Sequence, residues 1–117
     1  MNQVMPEDAL TIRLREIRQR ILQRAPQTLQ DAVTQMTAAE RGELSKDERE
    51  RTYLLIHNLA GTSGSVGLPE VGRTSKALDV LIRPWLRGGE PAPDWRPAFS
   101  DLVTAVQAAQ DQGSTHA

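Results

Sequence analysis

The sequence predicts an all-α protein, an antiparallel four-helix bundle with room for one short extra helix at its N-terminus. The chain contains few aromatic residues, so its core must be built mostly from aliphatic side chains, which favours helices over a β-sandwich or barrel. Apolar residues recur at spacings of three and four along most of the chain, which is the period of an amphipathic helix. Prolines and glycines divide this pattern into segments of helix length joined by short loops.

The whole chain, residues 1–117, is expected to fold as a single domain. A domain of this size buries about two-thirds of the surface that its unfolded chain exposes, so it can hold a core of its own. The helical core is expected over about residues 8–112, whereas Met1–Glu7 and Gln112–Ala117 carry no pattern and are expected to be loose. Met1 and these loose ends favour a complete small protein, with a domain cut from a larger kinase as the alternative that stays open.

The first apolar stripe predicts a helix that begins near Asp8. Its residues are spaced by four, three and four, with arginines on the opposite face: Leu10, Leu14, Ile17 and Ile21. Pro26 disfavours helical geometry at Ala25, so the segment either breaks into two helices or continues as one bent helix. A second stripe, Leu29–Met36, has nearly the same phase and keeps both alternatives open. The glycine-containing segment Ala38–Leu44 is typical of a turn that ends a helix.

A capping box predicts the start of the next helix. Ser45 precedes Glu48 by three residues, so the helix is expected to begin near Lys46 and to run through the segment Leu54–Gly67. The alternative is a helix that ends near Ala60, with the glycine-rich remainder of the segment as a loop.

The histidine of this helix, His57, is expected to project into solvent. On a helical wheel, the opposite pole holds the residues that we expect to face the core: Leu55, Leu59, Thr62 and Val66. The side around the histidine holds five residues that we expect to dock another protein: Tyr53, Leu54, Ala60, Gly61 and Gly64. Two glycines on one helical face cost about 1–2 kcal/mol together, which close approach of a partner to the backbone would offset. Glu50 lies on the same side, where it either orients the ring through a water molecule or is simply solvated.

Two further helices are predicted in the second half of the chain. Pro69 follows a glycine and is placed to begin a helix, which Pro84 should kink or terminate. Its apolar residues are Val71, Leu78, Leu81, Ile82 and Trp85. After a loop rich in glycine and proline, Asp94 is a good cap for the last helix. The stripe of that helix is the clearest in the chain: Trp95, Phe99, Leu102, Val106 and Ala109.

Composition excludes several classes of function. A net charge of −1 leaves no electrostatic footprint for nucleic acid or an anionic membrane. The chain has no cysteine, and its two histidines include His116 in the tail, so we expect no metal or cofactor held by the chain itself. No stretch approaches the roughly 20 apolar residues of a membrane span, and the N-terminus lacks a basic-then-apolar leader. These observations favour a cytoplasmic protein.

A histidine exposed on a rigid helix can act as a nucleophile. An imidazole has an ordinary pKa of about 6.5, so most of it is unprotonated near pH 7. Attack by a ring nitrogen on a phosphoryl group forms a phosphoramidate, which is reactive enough to pass the group on. Such transfer depends on in-line positioning and on charge neutralisation, both of which a partner can supply.

The motif around this histidine resembles the signature of histidine-containing phosphotransfer (HPt) domains, His-x-Leu-Lys-Gly-Ser-Ser followed by a glycine. The matching residues are His57, Leu59, Gly61, Thr62, Ser63 and Gly67. One position departs from the family, because Ala60 stands where HPt domains usually have lysine.

The resemblance implies a monomeric phosphocarrier in a two-component phosphorelay rather than an enzyme, since no kinase segment is visible. Its partners would be a response-regulator receiver domain, a hybrid sensor kinase, or both, with Mg²⁺ held by the receiver. A receiver aspartate would phosphorylate Nε2 of His57, and another receiver would accept the group. The lysine that Ala60 replaces helps the family to neutralise the phosphoryl charge. Arg73 or Lys76 in the next helix would reach that charge instead; the alternative is that both are ordinary surface residues.

Two rival functions remain open from the sequence. Ala60 makes conceivable a bundle that docks on receiver domains as an adaptor but carries no phosphate. The other rival is a structural bundle with an unrelated partner, which neither binds a receiver nor takes up phosphate.

Overall fold

Four α-helices form the architecture in a computed structural model that describes the backbone of residues 6–115 and the side chains of residues 9–112. The helices are α1 (Pro6–Glu40), α2 (Lys46–Ser63), α3 (Pro69–Ile82) and α4 (Trp95–Thr115). Short 3₁₀ segments follow α2 at Gly64–Val66 and α3 at Arg83–Arg87. The described residues include no strand, and α4 packs back on α1 to close the bundle. The all-α prediction is confirmed.

The first helix is continuous through its proline. α1 extends over 35 residues with Pro26 inside it, so the single helix is the alternative that is observed, and the described residues contain no separate short helix before it. A proline inside a helix costs about 3 kcal/mol through a lost hydrogen bond and a steric clash. That cost is offset because the stripes on either side of Pro26 share a phase: Ala25, Leu29, Ala32 and Met36 are all buried on one face.

The helix ends lie beyond the predicted core. α1 already includes Pro6 and Glu7, and α4 continues through Thr115, so the patternless ends are shorter than predicted. The rest of the predicted loose ends, residues 1–5 and 116–117 with His116, lies outside the described residues.

The capping box at the start of α2 forms as predicted. The Glu48 backbone N–H donates to Ser45 Oγ at 3.1 Å, and the Ser45 backbone N–H donates to the Glu48 carboxylate at 3.1 Å. The backbone hydrogen bond from Ser45 is the main reason that the pKa of Glu48 lies below its ordinary value. Two backbone donors that the helix itself cannot pair are thereby satisfied.

Replacing Ser45 with alanine is expected to lower the free energy of unfolding by about 1 kcal/mol, the usual effect of losing an N-cap side chain. Urea unfolding followed by circular dichroism measures the loss. Ser100→Ala, at an exposed position inside α4, is the matched control and should leave the urea midpoint nearly unchanged. An equal shift in the two variants would contradict the assigned role of the cap.

The second and third helices meet at a glycine contact. A Cβ atom built on Gly72 would lie 3.0 Å from the backbone nitrogen of Gly64 and 3.2 Å from its Cα. The neighbouring side chains at this crossing are small, since Ser63 and Ser75 are both fully buried. Gly67 turns the chain between the helices with a φ of 90°, a conformation that favours glycine. The close crossing brings the facing side chains of α2 and α3 within contact distance.

Candidate functional site

The buried face of α2 does not lie opposite His57. Its buried residues are Thr52, Tyr53, Ile56, Leu59 and Ser63. Of the predicted core residues, Leu59 and Val66 are buried, but Leu55 is 40% exposed and Thr62 is exposed, so those two predictions are wrong. Because α2 packs against both α1 and α3, its buried arc is centred about 70° from the predicted pole, towards Tyr53.

His57 contacts a buried carboxylate on the neighbouring helix. Its Nδ1 lies 2.8 Å from Oδ2 of Asp79, which is on α3. The Asp79 side chain is only 5% exposed, whereas the His57 side chain is 54% exposed. A carboxylate accepts hydrogen bonds and does not donate them when ionised, so the short contact places the proton on Nδ1. Nε2 then carries the free lone pair, on a side chain that is more than half exposed.

Tyr53 covers one face of the imidazole. The two rings are stacked, with their centroids 5.5 Å apart and their planes 20° from parallel. The Tyr53 hydroxyl oxygen lies 3.4 Å from Nδ1 of His57. Tyr53 itself is buried, so its ring is part of the core as well as part of the site.

A cation completes the cluster from the 3₁₀ segment after α3. Nη2 of Arg83 donates to Oδ1 of Asp79 at 3.4 Å, so the carboxylate binds the histidine through one oxygen and the arginine through the other. The Arg83 side chain is 55% exposed. It therefore reaches the buried carboxylate while more than half of its side chain stays exposed.

The three partners of Asp79 keep it ionised. Burial, the largest single influence, raises the pKa of this carboxyl, but hydrogen bonds from Tyr53, His57 and Arg83 together hold the pKa of Asp79 below its ordinary value. Burial is also the main reason that the pKa of Tyr53 is raised. The pKa of Arg83 is raised by its hydrogen bond to Tyr53 and then by that to Asp79. At neutral pH the cluster thus contains an anion, a cation and a neutral phenol.

The family of the chain follows from a comparison with protein-family models. The model of the Hpt domain matches residues 16–112, which is more than half of the chain and includes all the residues of this cluster. The chain belongs to the Hpt domain family. No curated protein and no solved structure gave a match. The resemblance seen in the sequence is confirmed, and Hpt domains act as histidine phosphocarriers, not kinases, in phosphorelays with receiver domains and kinases.

The docking residues predicted for this Hpt domain fall into two groups. Leu54 is 49% exposed, and a Cβ atom added at Gly61 or Gly64 would meet nothing within 4 Å, so this side of α2 is open. Ala60 is half-buried beside them. Tyr53 is different, because its burial against the core leaves almost no surface for a partner. The burial of Tyr53 does not support direct docking by this residue, and the docking role of the other four residues stays a prediction.

The predicted charge-neutralising residues of the Hpt domain do not reach the cluster. Arg73 forms an ion pair with Glu70 on its own helix, at 2.9 Å. It also interacts electrostatically with Asp101 on α4, so its charge is directed towards α4 and not towards His57. Lys76 is exposed, and it makes no hydrogen bond to His57 among the contacts of the described side chains. The cation that does approach is Arg83, which the sequence analysis missed.

Asp79 was also missed, although the sequence carried a signal for it. Asp79 directly follows Leu78 and precedes Ile82 by three residues, so a charged residue interrupts the predicted apolar stripe of α3. A carboxylate at such a position must find partners when the helix is buried. On the helix of the histidine itself, the carboxylate that the helical wheel places nearby is Glu50, which makes no hydrogen bond to His57 among the contacts of the described side chains.

Within residues 9–112, no group of three or more His, Cys, Asp or Glu side chains is placed to hold a metal ion. None of the helices in the described part of the chain is long and apolar enough to cross a membrane.

Proposed function

We propose that this Hpt domain carries a phosphoryl group on Nε2 of His57, which it takes from the aspartate of one receiver domain and passes to another. The observation that carries the proposal is the 2.8 Å contact between Nδ1 of His57 and the buried Asp79, on a histidine whose side chain is more than half exposed. Nδ1 is thus hydrogen-bonded to Asp79, and Nε2 is left to act as the nucleophile.

The buried carboxylate prepares the ring for attack. A neutral imidazole carries its proton on either nitrogen, and only the unprotonated nitrogen is a nucleophile. By accepting the proton of Nδ1, Asp79 favours the tautomer in which Nε2 holds the lone pair. The same negative charge stabilises the positive charge that the ring acquires as Nε2 forms its new bond, as in other carboxylate–histidine pairs.

The transfer step requires neither a metal ion nor a general base from this chain. The lone pair of Nε2 forms a bond to phosphorus, and the bond between phosphorus and the aspartate oxygen of the receiver breaks. The electron pair of the broken bond returns to the receiver as a carboxylate. The proton on Nδ1 stays in its hydrogen bond to Asp79 throughout. We assign the Mg²⁺ of this step to the receiver, where it would offset the phosphoryl charge.

Arg83 is the residue of this chain best placed to replace the lysine that Ala60 lacks. A guanidinium has five N–H donors in a fixed plane, and one of those of Arg83 is already directed at Asp79. Its side chain is 55% exposed and also hydrogen-bonds Tyr53, so the guanidinium lies beside the same two residues that contact His57. A phosphoryl group on the histidine could therefore accept a hydrogen bond from Arg83, which comes from the end of α3 rather than from α2.

The docking surface is the open side of α2, formed by Leu54, Ala60, Gly61 and Gly64. The two glycines carry no side chain over the helix backbone, and the space above each of them is empty to at least 4 Å. A receiver domain could therefore bring its aspartate down to the level of the imidazole. Exposed Leu54 supplies apolar surface next to the nucleophile.

The test is phosphoryl uptake by the parent and by two histidine variants. The chain has only two histidines, so His57→Gln removes the proposed acceptor and His116→Gln is a matched control. Each protein is incubated with phosphoramidate and, separately, with phosphorylated receiver domains, and intact mass is measured at neutral pH. We expect one acid-labile, base-stable phosphate on the parent and on His116→Gln, and none on His57→Gln.

Two results would overturn the assignment. Uptake by His57→Gln equal to that of the parent would remove His57 as the acceptor. Binding of receiver domains without labelling of any protein would favour the adaptor function over the phosphocarrier.

A further inference from the structure

We propose that Tyr53 is a positioning residue for the phosphoacceptor, acting through the orientation and tautomer of the His57 ring. The inference rests on the proposed function of His57 but makes a separate claim about this chain. Tyr53 lies one helical turn before His57 and contacts both the imidazole and the carboxylate that holds it. It would therefore not meet the partner; its effect would reach the partner only through the histidine.

The stacked ring restricts how the imidazole can turn. An aromatic ring at a centroid distance of 5.5 Å and an angle of 20° covers one face of the imidazole. Because Tyr53 is itself only 5% exposed, the core holds this ring in place. The imidazole of His57 thus rests against a fixed surface on one side, and rotation of its plane would separate the rings. A half-exposed histidine would otherwise sample several orientations.

The hydroxyl of Tyr53 supports the same orientation. Its oxygen lies 3.4 Å from Nδ1, while Asp79 lies closer to this nitrogen, at 2.8 Å. When Nδ1 carries the proton that Asp79 accepts, it has no lone pair left in the ring plane to accept from the phenol. The phenol hydrogen is then available to the neighbouring carboxylate, and a hydrogen bond from Tyr53 contributes to the lowered pKa of Asp79.

The two contacts form a closed triangle of side chains. Tyr53 stacks on His57, His57 donates to Asp79, and Tyr53 donates to the same carboxylate. The carboxylate oxygens are therefore fixed from α2 by two residues and from the end of α3 by Arg83. Loss of the phenol would leave the carboxylate free to move towards Arg83, and the Nδ1 tautomer would lose part of its support.

The experiment compares two Tyr53 variants with a variant of another buried aromatic residue. Tyr53→Phe keeps the stacked ring and removes the hydroxyl, and Tyr53→Leu removes both. Phe99→Leu shortens another buried aromatic residue, on α4, and is the control for a general loss of packing. For each protein, nitrogen-15 NMR gives the tautomer of His57, and the rate of labelling by phosphoramidate gives its reactivity. Urea unfolding identifies conditions in which every variant is folded.

We expect Tyr53→Phe to be labelled about fivefold more slowly than the parent, as the loss of one hydrogen bond implies. Tyr53→Leu should be about twentyfold slower, because an aromatic pair contributes a similar amount again. In both variants the His57 nitrogen shifts should move towards those of an unconstrained histidine, and more so in Tyr53→Leu. Phe99→Leu should lose stability but keep the labelling rate and the nitrogen shifts of the parent.

The outcomes separate this inference from the proposed function. If the parent is labelled on His57 and the folded Tyr53 variants keep its rate and its tautomer, Tyr53 is a packing residue only and the inference fails. If the parent is labelled by neither phosphoramidate nor phosphorylated receiver domains, the proposed function fails, and the nitrogen shifts still decide whether Tyr53 positions the ring. Should Tyr53→Leu not fold, Tyr53→Phe decides the question, because it preserves the packed volume.

Discussion

Asp79→Asn is expected to slow phosphoryl uptake at His57 by about a hundredfold. Loss of a residue that orients a functional histidine usually costs about 10- to 100-fold, so the expected effect is near the upper end of that range. The asparagine side chain has nearly the same shape, so the helices should remain packed. It lacks the negative charge that offsets the developing charge on the imidazole, and its amide group can present a donor to Nδ1, which favours the unreactive tautomer. Labelling by phosphoramidate measures the rate without a partner domain.

Asp101→Asn, on the exposed surface of α4, is the control for loss of one negative charge and should keep the parent rate. A rate for Asp79→Asn within about twofold of the parent would contradict the role of the carboxylate, since a charge-assisted hydrogen bond is worth more than that.

The same variant should also respond differently to acid. Because the pKa of Asp79 is lowered in the folded protein, despite the opposing effect of burial, the carboxylate stabilises the fold fully above its unfolded pKa. That stabilisation is lost as the pH falls below about 4, the ordinary value for aspartate. Unfolding experiments between neutral and acidic pH should therefore show a smaller loss of stability for Asp79→Asn than for the parent.

Gly72→Val is expected to lower the free energy of unfolding by about 2–3 kcal/mol, towards the upper end for an overpacked core. The added Cβ would lie 3.0 Å from the backbone nitrogen of Gly64, and a helix backbone cannot rotate away as a side chain can. The helices α2 and α3 must separate, which would also lengthen the contact between His57 and Asp79. Urea unfolding and phosphoramidate labelling should both report the change.

Gly61→Ala provides the contrast. Nothing lies within 4 Å of a Cβ atom at this position, and alanine is favoured over glycine inside a helix by about 1 kcal/mol. The fold should therefore be unchanged or more stable, whereas docking of a receiver domain should weaken because a methyl group now covers the backbone.

Equal unfolding curves for Gly72→Val and the parent would refute the close helix contact.

Local sequence signals were sufficient for most of the helices. The pair Ser45 and Glu48 placed the start of α2 correctly, because a capping box depends only on residues three apart. Pro69 at the start of α3 was recognised for the same reason. Pro26 was harder, since its effect depends on whether the flanking stripes are buried on a common face, and that is a property of the whole bundle.

The candidate site was predictable only in part, because it joins two helices. The motif and the helical wheel of α2 identified His57 and the open glycines Gly61 and Gly64, which lie on α2 and at the start of the 3₁₀ segment that follows it. Asp79 follows His57 by 22 residues, so their contact depends on the crossing of α2 and α3, which no helical wheel describes. The same crossing determines which face of α2 is buried, and it turned Tyr53 from an expected surface residue into a buried one.

The meeting of α2 and α3 at Gly72 makes the reactivity of His57 a property of tertiary structure. An excised peptide spanning α2 would retain every residue of the signature, yet its imidazole would have no carboxylate beside it and would behave as an ordinary histidine in water. Thermal unfolding of the bundle should lower the labelling rate of His57 to that of an ordinary histidine in water, although heating leaves the imidazole itself intact. Phosphoryl uptake could then serve as a chemical reporter of the folded fraction.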